Sequence, residues 1–188
     1  MPSFRHRLTR AQQRTYDRSD AVAAVPLPGS AHLSAIVDAL PAALKSGAAA
    51  QVERVAQALC DEVTRLLRVP PLRVLVSGTR PSNPRGELHG LYTPRARGAG
   101  TIKVWMVTAK RGQIVAFKTF LRTLLHEICH HLDYALLGLD ESFHTDGFYK
   151  RESSLFYRVG GPAAAARAAS AGGGTPGPRS ARARPTPA

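Results

Sequence analysis

Apolar residues fall at Phe117, Phe120, Leu121, Leu124, Leu125, Ile128 and Leu132, the three- and four-residue steps of one helical face. The pattern runs from about Ile114 to Leu137, and Gly138 is a natural stop. A helix with that stripe is buried along much of its circumference, so the rest of the chain must be arranged around it. Polar side chains inside such a segment need partners, because burying them unpaired costs free energy. Among them are His126, Glu127, His130 and His131, in the run His126-Glu127-Ile128-Cys129-His130-His131.

The flanking sequence predicts an α+β domain. One helix is expected over Leu33–Lys45, shortened or kinked by Pro41, and a second carries Val52, Val55, Ala56, Leu59, Val63, Leu66 and Leu67 on one face. Pro70 and Pro71 stop it. Leu72–Val76, Leu88–Thr93 and Thr101–Val107 read as three strands of a small antiparallel meander packed against the helices. A last helix is expected from near Thr145, with Phe148, Leu155, Phe156 and Val159 as its apolar stripe and Gly160-Gly161-Pro162 as its end. Residues 1–30 show no sustained period and read as a flexible arm. The domain then spans 31–160, and residues 161–188, rich in Ala, Gly, Pro and Arg, read as a disordered tail.

Charge and composition narrow the classes. The 188-residue chain carries a net +13, of which +3 lies in residues 1–20, five Arg against two Asp. Residues 161–188 add +4 from four Arg and no acid. Residues 80–122 hold nine cations and one acid, Glu87, for a local +8. A basic surface of that size is expected to suit nucleic acid or an acidic partner, although Arg and Ala richness also follows from base composition alone. No run approaches 18 apolar residues, so no membrane span is expected. The first apolar stretch is short and broken by Pro26 and Pro28, unlike a secretory leader. Cys60 and Cys129 cannot build a disulfide framework and read as small buried fillers, so a cytoplasmic setting is expected.

The chemistry sits in the buried helix. His126 and His130 are four residues apart and project from one face, where two ring nitrogens can approach one zinc ion at ~2.0–2.1 Å. Glu127, next to a ligand without being one, is placed to act on a water. A catalytic zinc wants three protein ligands and an open position. His144, 14 residues beyond His130 across the turn at Gly138, is the favoured third, with Asp133, Glu141 and Glu152 as the alternatives. Asp133 better suits accepting a proton from a ligand imidazole. His131 points about 100° away and is expected to cap a carbonyl. Steadying an oxyanion, by His131 or by the phenols of Tyr149 and Tyr157, is the minor alternative. The longer HExxHxxGxxH pattern is absent, since Asp133 and Leu136 stand at its Gly and third His.

The helix bearing His126-Glu127-Ile128-Cys129-His130-His131, the short loop, and then His144-Thr145-Asp146-Gly147-Phe148 resemble the SprT-like zinc metallopeptidase family. The likeness is sharp over 121–156 and extends in layout over 48–160. It implies one Zn2+ held by His126, His130 and His144, with Glu127 as the catalytic acid/base. The chain lacks the C-terminal CxxC ribbon of many members. The expected activity is hydrolysis of a protein or peptide by a zinc-activated water with Glu127 as general base. Substrate is expected to add as a strand to an exposed edge beside Thr101–Val107. The rival reading is a non-catalytic module, stapled by zinc, that binds nucleic acid through residues 80–122.

Overall fold

The computed structural model describes residues 4–84, 86–95 and 99–171, with 161–171 as backbone. A short 3-10 turn (Phe4–Arg7) precedes α1 (Arg10–Asp20), α2 (Ala31–Lys45) and α3 (Ala49–Leu67). Five strands follow: β1 (Leu72–Thr79), β2 (Ser82–Asn83), β3 (Gly86–Glu87), β4 (Gly90–Thr93) and β5 (Gly100–Val107). Then come α4 (Phe117–Ala135) and α5 (Asp146–Ala171). Among the described residues no helix is long and apolar enough to cross a membrane.

The architecture is mixed α+β, but the sheet departs from the expected meander. Its order is β1-β5-β4, with β5 parallel to β1 (Leu72↔Gly100 to Thr79↔Val107) and antiparallel to β4 (Gly90↔Val104, Thr93↔Thr101). The reason lies in the connection. After β1 the chain turns through the β2–β3 hairpin and returns as β4, so β5 starts where β1 started and fills the gap between them. Leu72, Val74 and Val76 of β1 and Ile102, Val104 and Met106 of β5 are buried, and α3 and α4 pack against the sheet.

The two sheet edges differ in consequence. The outer edge of β1 is bonded to side chains of α3: Gln57 donates to Leu72 O at 2.7 Å and accepts from Val74 N–H at 2.8 Å, and Glu53 accepts from Val76 N–H at 2.8 Å. β5 is paired on both sides, so the strand expected to offer an exposed edge has none. That edge belongs to β4.

Residues 4–30, expected to be a flexible arm, instead carry the 3-10 turn and α1, and they bury Val25 and Leu27. Thr9 opens α1 with a reciprocal capping box to Gln12. Pro41 sits within α2 without ending it. The expected stop at Gly160-Gly161-Pro162 also fails. The backbone of α5 stays helical to Ala171, through an Ala-rich stretch of high helix propensity. The remainder of the expected disordered tail, 172–188, lies outside the described residues.

Candidate metal centre

His126 and His130 lie one turn apart on α4, their ring centroids separated by 4.9 Å. Beyond α4, Gly138 adopts φ +58, the left-handed conformation that reverses the chain, and Leu139 N–H donates back to Asp133 O at 2.9 Å. The reversal delivers His144 to the pair. Its Nε2 stands 3.0 Å from Nε2 of His126 and 3.1 Å from Nε2 of His130. Among the described residues these three form the one group of metal-ligating side chains with all ligand atoms within 4.8 Å of each other. The buried ring of Phe148 underlies all three, at centroid distances of 4.9, 4.8 and 5.0 Å.

The donor chemistry fits a metal ion. Nδ1 of His126 faces Glu152 Oε2 at 3.1 Å. Nδ1 of His130 faces Ser142 Oγ at 2.7 Å, while the Ser142 hydroxyl donates to Asp133 Oδ2 at 2.7 Å. Both acceptors hold the ring proton on Nδ1, which leaves an Nε2 lone pair on each imidazole aimed at His144. One N–H on His144 cannot satisfy both. Three nitrogens each ~2.0–2.1 Å from a tetrahedral ion would lie roughly 3.3 Å apart. That is close to the separations observed. Burial, with His126 and His144 beside it, pushes His130 down to about 3, so its imidazole is neutral, as a ligand must be.

The acids weighed as third ligands stand elsewhere. Glu152 lies behind His126 and also accepts from Arg122 Nη1 at 3.2 Å. Asp133 lies behind Ser142, and Glu141 accepts from Gln12 at 2.9 Å. Asp133 therefore reaches His130 through a hydroxyl and not directly. His131 is outside the cluster, bridging Pro70 O at 2.8 Å and the Tyr92 hydroxyl at 3.1 Å. Tyr149 stacks on His144 at 5.8 Å and is half exposed, and Tyr157 is exposed. Cys60 and Cys129 are buried, and burial pushes both thiols up.

Glu127 faces β4. Its carboxyl is buried and accepts from the Tyr92 backbone N–H, and desolvation pushes it up to about 7. The contact requires Gly90, where a Cβ would overlap Glu127 Oε1 and lie 2.8 Å from its Cγ. A cleft of about 280 Å³, lined by Gly90, Leu91, Glu127, His130 and Ser142 among others, opens along this strand. A second, of about 360 Å³, is lined by His89, Arg122, Thr123, His126 and Glu152.

Sequence reasoning missed the part α1 plays. Buried Arg151 of α5 donates to Ser19 O at 2.5 Å, Val22 O at 2.6 Å, Ser19 Oγ at 2.9 Å and Asp133 Oδ1 at 2.8 Å. Asp20 accepts from Gly147 N–H at 2.8 Å, and the Ser19 and Thr145 hydroxyls lie 3.3 Å apart. The end of α1 thus braces the residues on either side of His144. The capping box Thr9-x-x-Gln12 was the sequence signal that could have found this helix.

No protein-family model matches the chain, and neither a curated protein nor a solved structure matches it.

Proposed function

We propose that the protein is a zinc-dependent metallopeptidase of SprT-like type that cleaves extended polypeptide. The observation that carries this reading is the convergence of three Nε2 atoms beside a buried glutamate that is bonded to the edge strand β4. His126, His130 and His144 would hold the ion, with Glu152 and the Ser142–Asp133 pair orienting the first two rings. Zinc, when bound, supplies a Lewis acid that acidifies water toward pKa ~7 and polarises a carbonyl. Glu127 takes the proton from the attacking water and passes it to the departing amine nitrogen.

Substrate binding follows from the sheet. Gln57 and Glu53 bond the edge of β1 at three backbone groups and β5 has no edge, so a peptide strand would add to β4, alongside the Tyr92 N–H from which Glu127 accepts. The two clefts, one beside Glu127 and His130 and the other beside His126, would then hold residues flanking the scissile bond. Glu127 supports the enzyme reading over a zinc-stapled binding module, because a structural site has no use for a buried, proton-exchanging carboxyl outside its ligand set.

The test is metal content with turnover. Purified full-length protein should carry one equivalent of zinc and cleave an unfolded protein substrate, and His126→Ala should lose both. A wild-type protein that binds no zinc under saturating conditions overturns the proposal.

A further inference from the structure

A second site lies at the start of α4. The helix begins at Ala116 without a side-chain cap and with no acid in its first turn, where Lys118 stands. The N–H groups of Phe117, Lys118 and Thr119 precede its first bond, from Phe120 N–H to Ala116 O at 3.0 Å, so the positive end of the helix dipole is uncompensated. A cavity of about 430 Å³ covers this end, lined by Arg80, Thr108, Lys110, Arg111 and Thr119, with Glu87 as its one acid.

Arg80 is the independent observation. It is 6% exposed, yet its Nε and Nη2 have no hydrogen-bond partner among the described residues. Its pair with Glu87 spans 3.5 Å, against 2.8 Å for Arg151–Asp133 and Arg65–Glu62. Nε and Nη2 form the two-pronged edge of a guanidinium that matches two oxygens of one oxyanion. Lys110 and Arg111 stand exposed at the rim. Arg80, the open helix N-terminus and two more cations line one cavity, against the single acid Glu87.

We propose that this cavity binds a single phosphate-sized oxyanion, with Arg80 and the first N–H groups of α4 as donors and Lys110 and Arg111 as the outer clamp. The same group occurs as free phosphate and as a phosphodiester of a nucleic acid strand. The site lies roughly 14 Å along α4 from His126 at 1.5 Å per residue, so it stands apart from the metal reading.

The experiment titrates the full-length protein with inorganic phosphate at constant ionic strength, balanced with chloride, and follows binding by calorimetry and backbone-amide shifts. One saturable site is expected, with shifts at Phe117–Thr119, and Arg80→Gln should weaken it at least about tenfold. Because Arg80 is buried, Thr119→Asp tests the same cavity from an exposed position. Its carboxylate should cap the helix and abolish phosphate binding. A short single-stranded oligonucleotide that binds with the same sensitivity to both substitutions, while inorganic phosphate does not, assigns the phosphodiester as the source. Equal binding by wild type and both variants, a response matched by chloride, or no binding of either probe overturns the proposal. None of these readouts depends on zinc or hydrolysis.

Discussion

Asp133 Oδ1 accepts a hydrogen bond from Arg151 Nη2 at 2.8 Å, and both side chains are sealed from solvent. The other carboxylate oxygen holds Ser142, which holds His130. One buried pair therefore joins the packing of α1, α4 and α5 to the orientation of a candidate ligand. Arg151→Met should destabilise the fold by about 3–5 kcal/mol, because it strands a buried carboxylate. Urea unfolding measures this, and a loss under ~1 kcal/mol would mean that Asp133 readily finds another partner.

Ser142→Ala removes the hydroxyl between Asp133 and His130 without touching the Arg151 pair. Zinc affinity should fall about 10–100-fold with global stability little changed. Competition with a chromogenic chelator reads the first quantity and thermal unfolding the second.

Gly90→Ala places a methyl group against the Glu127 carboxyl. Displacing a proton-transfer group by about 1 Å costs on the order of 10²-fold in rate. The variant should bind zinc as the wild type does and hydrolyse about 10²-fold more slowly. Unchanged turnover would separate Glu127 from β4 in function.

Glu62 links two helices, accepting from Ser30 at the start of α2 and from Arg65 on its own helix. The Arg65 hydrogen bond foremost, with that from Ser30, holds its carboxyl down at about 2, against an ordinary 4.5. A depressed folded-state pKa gives stability that is complete above the unfolded value and lost as pH falls through the folded one. Stability should thus decline from about pH 4.5 toward pH 2, and Glu62→Gln should flatten that part of the profile. Denaturant midpoints across the range check it.

How much was legible in the sequence depended on the range of the interactions. The i,i+4 spacing of His126 and His130 is set by one helix, and the turn at Gly138 makes the return of His144 readable from local chemistry. Ser142 carried no signal, since a hydroxyl in an acidic turn looks like any turn residue. The helix α1 was hidden because its buried residues, Thr15 and Ser19, are polar and are held by partners more than 100 residues away. Strand order was hidden for a related reason. A parallel pair usually announces itself by a crossover helix, and here the connection from β1 to β5 is a hairpin and a strand. The edge was consequently assigned to β5 when β4 holds it.

The central claim is that Glu127 moves the proton in a zinc-dependent cleavage. The direct measurement is the rate of cleavage of an unfolded protein by zinc-loaded wild type and Glu127→Gln, with metal content determined on the same samples. One zinc per chain in both proteins, with the variant slower by about 10²–10⁴-fold, is the predicted result. Equal rates at equal zinc content would contradict it.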